Sequence, residues 1–68
     1  MGLYAISSYQ GKKQDVMERL RNVGADAFED EKSPAFIFYH AQSWEEAKSL
    51  KLRAQCLGNT KLQQCPEE

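Results

Sequence analysis

The chain has 68 residues, with 9 Lys and Arg against 10 Asp and Glu, and a formal net charge of -1. This length allows one domain near the lower limit for independent folding and leaves no room for a second core. The near-neutral charge argues against a whole-surface attraction to nucleic acid, which usually shows as a basic excess, and leaves a local basic patch open.

The sequence carries no signal for a membrane. No stretch approaches the roughly 20 apolar residues that span a bilayer, and residues 1–4 lack the basic and apolar regions of a secretion signal. Gly2 lacks the Ser or Thr near position 6 that acylation requires, since Ile6 stands there. We therefore expect a cytoplasmic protein that does not associate with membranes.

The first predicted elements are a strand over residues 3–9 and a helix over residues 12–23. Gly11 separates them, and Gly24 stands where a helix commonly ends. Apolar residues recur within the helix at the spacing of one buried face, at Val16, Met17, Leu20 and Val23.

A short edge strand is predicted over residues 25–31. Ala27 and Phe28 lie there among four acidic residues, and charged residues commonly keep an edge strand from pairing with other chains. Residues 32–34 then form a tight turn.

The next segment, residues 35–39, reads Ala-Phe-Ile-Phe-Tyr and is apolar on both faces. Successive side chains of a strand point to opposite sides, so a half-exposed strand should alternate apolar with polar residues. This run predicts a central strand that is covered on both sides. Because so short a chain covers only one face well, we expect the second cover to be another molecule, which indicates a binding protein.

The clearest helix start lies at Ser43, which forms a capping box with Glu46. An apolar stripe follows at helical spacing, at Trp44, Ala47, Leu50, Ala54 and Leu57. Residues 58–59 end this helix, a last strand is predicted over residues 60–65, and residues 66–68 form a tail.

The order strand, helix, strand, strand, helix, strand predicts a single α+β domain over residues 1–68. It is the ferredoxin-like βαββαβ pattern, an antiparallel sheet with both helices on one face. The bulkier set of strand residues is expected to face the helices: Tyr4, Ile6, Phe36 and Phe38. The opposite face, with Ala5, is then the predicted partner surface, which consists of Leu3, Tyr9, Ile37 and Tyr39.

The sequence offers no set of residues for catalysis, a cofactor or a metal. His40 has no neighbouring nucleophile or orienting carboxylate, which favours a solvated histidine at a strand end over a general base. Cys56, Cys65 and His40 lack a recognisable metal-ligand spacing, so the two cysteines are expected to be thiols. We therefore expect a protein that is not an enzyme.

Two stretches resemble the N-terminal domain of NusG-like transcription factors. Residues 3–11, Leu-Tyr-Ala-Ile-Ser-Ser-Tyr-Gln-Gly, are similar to the opening strand of that family, and residues 33–39 are similar to a later strand. Val16 and Leu20 stand at a similar spacing in the helix between them. The likeness covers residues 3–40, with Leu3 in place of Trp, and implies docking on RNA polymerase through an apolar surface.

Residues 32–39 also resemble the RNA-recognition motif, which they match at Lys32, Ala35, Phe36 and Tyr39. The likeness implies bases stacked on Tyr4 and Phe36, with Ile37 inside the protein. A local basic cluster is available for this alternative at Lys48, Lys51, Arg53 and Lys61.

In size and style the chain further resembles small phage-encoded modulators of host enzymes, such as polymerase inhibitors and anti-CRISPR proteins. Together these patterns predict a small binding protein that modulates a larger machine, with RNA polymerase as the first candidate. The alternatives are a nucleic-acid-binding module and a homodimer that pairs through the apolar face.

Overall fold

The computed structural model describes residues 1–54 and 60–66. It contains strand β1 at Gly2–Ser7, helix α1 at Lys13–Asn22, strand β2 at Ile37–Ala41, helix α2 at Trp44–Arg53 and strand β3 at Lys61–Gln64. The strands form one antiparallel sheet in the order β2-β1-β3. Neither described helix is long and apolar enough to cross a membrane.

Helix α1 ends as its sequence predicts. Gly24 takes φ of 99°, a left-handed conformation that favours glycine. The N–H of Ala25 donates to the carbonyl of Leu20 at 2.9 Å, and the N–H of Gly24 donates to Arg21 at 3.1 Å. These two bonds satisfy carbonyls that the last turn would otherwise leave unpaired.

Helix α2 begins at the predicted cap. The Ser43 hydroxyl accepts from the N–H of Glu46 at 3.2 Å, and the Glu46 carboxylate accepts from the N–H of Gln42 at 2.7 Å. The capping box is thus present, with the glutamate reaching one residue further back than the sequence pattern describes. The predicted continuation at Leu57 and the stop at residues 58–59 lie outside the described residues.

The predicted edge strand over residues 25–31 is reduced to one bridge. Phe28 and Phe38 exchange backbone hydrogen bonds of 2.9 and 2.8 Å. On the N-terminal side of Phe28, side-chain contacts take the place of further ladder bonds: Asp26 accepts from the N–H of His40, and Arg21 donates to the carbonyl of Ala27. The described residues therefore form an α+β sheet of three strands, and the full ferredoxin-like pattern is not confirmed.

The predicted assignment of the two sheet faces is wrong for β2. Tyr4 pairs with Tyr39 and Ile6 pairs with Ile37, and residues directly opposite each other share a face. Ile37 and Tyr39 are 0 % exposed, whereas Phe38 is only half-buried. Side-chain bulk was the wrong criterion, because register against β1 decides which side of β2 turns inward.

The hydrophobic core lies between the sheet and both helices. The sheet contributes its inward residues, namely Tyr4, Ile6, Ile37, Tyr39 and Ala41, and the helices contribute Val16, Met17, Leu20, Ala47 and Leu50. Both helices therefore cover the same face of the sheet. Trp44 remains 43 % exposed at the margin of the core, with its ring centroid 6.1 Å from that of Tyr4.

Candidate functional site

The candidate site is the face of the sheet that points away from the helices, which we call the open face. Strand register places on it Leu3, Ala5 and Ser7 of β1, Phe38 and His40 of β2, and Lys61 and Gln63 of β3. Both described helices pack on the opposite face. The open face is thus the side of the sheet on which the described part of the chain places no second layer.

Four rings gather along one side of the open face and form what we call the aromatic cluster: Phe28, Phe36, Phe38 and His40. The Phe28 ring stacks on Phe38 with centroids 5.8 Å apart and on His40 with centroids 5.9 Å apart. Phe36, which directly precedes β2, lies 6.2 Å from Phe38. Phe28 is 37 % exposed, and Phe36 and Phe38 are half-buried, so the cluster offers ring surface to solvent.

Asp26 fixes the outer edge of this cluster. Its carboxylate accepts from the backbone N–H of His40 at 2.8 Å and contacts the ring Nδ1 of His40 at 2.7 Å. Partial burial raises the pKa of the Asp26 carboxyl, but the hydrogen bonds and charge of His40 outweigh it and lower the pKa below its ordinary value. Since a carboxylate only accepts, Nδ1 of His40 carries the proton in this contact.

A second anchor holds the segment that carries Phe28. The Arg21 guanidinium donates to the carbonyl of Ala27 from Nε at 3.0 Å and from a terminal nitrogen at 2.8 Å. Ala25 and Ala27 are buried in the core. Because side chains alternate along extended backbone, the burial of Ala27 turns Phe28 toward the open face.

The charges around the open face are unevenly placed. Asp26, whose carboxylate contacts His40, borders the aromatic cluster and is exposed to solvent. On the opposite side, Lys61 pairs with Ser7 and is exposed on the open face. Glu29 forms an ion pair with Lys13, in which the Lys13 Nζ lies 3.2 Å from the Glu29 Oε2.

The predicted partner residues do not lie together. Leu3 is half-buried on the open face, and Tyr9 is half-buried against the core. Ile37 and Tyr39 are fully buried beneath the helices, so the predicted set does not form one surface. The predicted partner set left out Phe28, Phe36 and Phe38, although the RNA-recognition likeness named Phe36 as a stacking residue. The even spacing of Phe36, Phe38 and His40 was a further signal that these three share a face.

Two depressions lie on the surface of the described residues. One of about 630 Å³ lies at the start of β1 and is lined by Gly2, Tyr4, Gln42, Gln64 and Cys65, among others. Another of about 330 Å³ is lined by Lys13, Glu29, Asp30, Glu31 and Pro34. Among the described residues, no three His, Cys, Asp or Glu side chains are placed to hold a metal ion.

Cys65 is a free thiol at the end of β3. Burial raises the pKa of the Cys65 thiol, which disfavours the reactive thiolate. Cys56 lies outside the described residues, so the structure gives no pairing for it.

The comparisons with known proteins give no relative. No protein-family model, curated protein or solved structure matches this chain. The likenesses to NusG-like factors and to RNA-recognition motifs therefore stay predictions. The second of them placed Tyr4 on the stacking face, yet Tyr4 is 3 % exposed and faces the helices.

Proposed function

We propose that the protein is a small, non-enzymatic binding protein that docks the open face of its sheet on another protein. The aromatic cluster carries this proposal. An apolar surface left uncovered on a small protein is a mark of interaction, and buried aromatic rings dominate the energetics of many interfaces.

Charge favours a protein over a nucleic acid on this face. The Asp26 carboxylate lies beside the rings, where it would repel phosphates. Three members of the predicted basic cluster, Lys48, Lys51 and Arg53, lie on α2 in the other layer of the molecule. Among the described residues of the open face, Lys61 is the one lysine.

An RNA-recognition-type module is the second candidate, because Phe36 and Phe38 supply rings on an open sheet surface. The burial of Tyr4 removes the platform that the resemblance assigned to β1. Two neighbouring phenylalanines without a nearby basic groove make a weak site for single strands.

The identity of the larger machine rests on the predicted resemblance. RNA polymerase stays the first candidate for the partner. A phage-type inhibitor of a host enzyme stays a further candidate for what this protein is, and its cytoplasmic location stays a prediction. The Phe28–Phe38 bridge supports a ferredoxin-like connectivity, because Phe28 pairs with the outer side of β2, which is where the second strand of that pattern would lie.

The test combines purified RNA polymerase, short single-stranded oligonucleotides and the full chain. Phe28→Asp is the informative variant, because Phe28 is the most exposed phenylalanine of the aromatic cluster. Gln14→Asp, at an exposed position of α1, introduces the same charge outside the open face and serves as the control.

We expect the wild type and Gln14→Asp to bind the polymerase alike, Phe28→Asp to lose binding, and no oligonucleotide to bind at micromolar protein. A salt-sensitive oligonucleotide complex would support the nucleic-acid module instead. Polymerase binding that is indifferent to Phe28→Asp would contradict docking through the open face.

A further inference from the structure

The larger surface depression lies at one end of the sheet, where the ends of its three strands meet. Gly2 opens β1, Gln42 follows β2 and Gln64 closes β3, and all three line the depression. The sheet ladder fixes these walls, since Gly2 pairs with Ala41 and Gln64 pairs with Tyr4. Its volume of about 630 Å³ falls within the roughly 300 to 1,000 Å³ of small-molecule sites, which are usually preformed.

The Tyr4 side chain reaches this depression from inside the core. Tyr4 is 3 % exposed, and its hydroxyl forms no hydrogen bond within the described part of the chain. Tyr39, by contrast, donates to the carbonyl of Ala47 at 2.6 Å. No enclosed side-chain oxygen or nitrogen of the described residues lacks a partner, so the Tyr4 oxygen is not enclosed and opens into the depression that Tyr4 lines. A buried tyrosine usually bonds its hydroxyl to a partner, and here that bond is left for a ligand.

Gly2 brings this hydroxyl and the Gln64 amide to the same space. A Cβ atom at Gly2 would lie 3.4 Å from the Tyr4 oxygen and 3.4 Å from the side-chain nitrogen of Gln64. Gly2, Tyr4 and Gln64 share the face of the sheet that the helices cover, because side chains alternate along a strand and paired residues share a face. The depression therefore lies on the opposite side of the sheet from the open face.

The lining of the depression is polar but uncharged. It contains no Asp, Glu, Lys, Arg or His among the described residues. An ion bound there would lose water without gaining an opposite charge, which favours a neutral ligand. The carboxamides of Gln42 and Gln64 each present a donor beside an acceptor, and glutamine pairs in this way, by two hydrogen bonds, with the edge of adenine.

We infer that the depression binds a small uncharged heterocycle of the nucleobase type. Gln64 and Gln42 pair with its polar edge, and the Tyr4 hydroxyl bonds a further polar atom. This site goes beyond the proposed function, because it uses a different surface and a small ligand in place of a protein.

The test titrates the full chain with adenosine and uridine, which are uncharged nucleosides, and with glucose, which is neutral and polar but has no heterocyclic base. Nuclear magnetic resonance follows the side-chain NH₂ of Gln64 and the backbone amide of Cys65 as each compound rises from micromolar to millimolar concentration. We expect one or both nucleosides to shift these signals to saturation and glucose to leave them unchanged.

Two variants assign the binding to named groups. Tyr4→Phe removes a hydroxyl that has no partner among the described residues, so we expect it to melt like the wild type and to bind about tenfold more weakly. Gln64→Ala should weaken binding by at least about tenfold. Gln63→Ala is the matched control, because Gln63 pairs with Ala5 on the open face and should bind like the wild type.

Three outcomes overturn the inference. These are the absence of a shift with both nucleosides at millimolar concentration, binding that is indifferent to Tyr4→Phe and Gln64→Ala, and binding of glucose without binding of a nucleoside. Phe28→Asp separates this result from the proposed function: we expect it to lose the polymerase and to keep the nucleoside. A nucleoside that is lost in Phe28→Asp or in Gln63→Ala lies on the open face, which also overturns the inference.

Discussion

The Tyr39 hydroxyl donates a hydrogen bond of 2.6 Å to the backbone carbonyl of Ala47. This bond ties the middle of β2 to the first turn of α2, and the tyrosine is fully buried. It explains how a polar group can lie inside so small a core, because a buried hydroxyl costs free energy unless it is bonded.

We expect Tyr39→Phe to lower the free energy of unfolding by about 1 to 2 kcal/mol, because one buried hydrogen bond is lost while the ring is kept. Tyr39→Ala should cost about 3 to 5 kcal/mol through the cavity it leaves. Urea unfolding followed by circular dichroism measures both. A Tyr39→Phe variant as stable as the wild type would show that the bond contributes nothing.

Ile37→Ala and Phe38→Ala separate the two faces of β2. Ile37 lies in the core and Phe38 on the open face, so Ile37→Ala should cost about 2 to 5 kcal/mol. Phe38→Ala removes a larger side chain, but that side chain is only half-buried. We expect it to lower the free energy of unfolding by less than half of the roughly 3 to 5 kcal/mol that the same substitution costs at a fully buried phenylalanine. Thermal melting of the two variants gives the order, and a larger loss for Phe38→Ala would contradict the face assignment.

Sequence predicted the elements better than the faces. Gly24, the Ser43 cap and the apolar spacing around Val16 each act locally, so they place helix ends and a buried helix face without knowledge of the rest of the chain. The inward side of β2 could not be read in this way, because all of residues 35–39 are apolar and only pairing with β1 distinguishes Ile37 from Phe38. The reduction of the second strand was equally hidden, since it accompanies the contacts of Arg21 with Ala27 and of Asp26 with His40, which local patterns do not reveal.

Asp26 should make the outer edge sensitive to strong acid. Its pKa is lowered in the folded state from the ordinary value of 3.8, so the carboxylate stabilises the fold above that value. The stabilisation is lost as the pH falls from 3.8 through the folded-state pKa. We expect the amide of His40, followed by nuclear magnetic resonance, to shift in this range.

Asp26→Asn should remove that acid transition, because an amide does not titrate. Glu31→Gln, which alters an exposed carboxylate of the same segment, serves as the control and should retain the transition. A transition that persists in Asp26→Asn would assign it to another group.

Arg21 provides the last prediction, because it holds the backbone next to Phe28 through its two bonds to the Ala27 carbonyl. Arg21→Lys keeps the charge but loses the two-pronged geometry of the guanidinium, and Lys side chains do not replace Arg at such sites. We expect the Phe28 amide, which donates to Phe38 at 2.9 Å, to exchange its hydrogen with solvent about tenfold faster in this variant. Hydrogen exchange read residue by residue measures the effect, with Arg53→Lys on α2 as the matched control. If Phe28 exchanges at the wild-type rate while Arg21→Lys is folded, the bridge to Phe38 holds the aromatic cluster without help from Arg21.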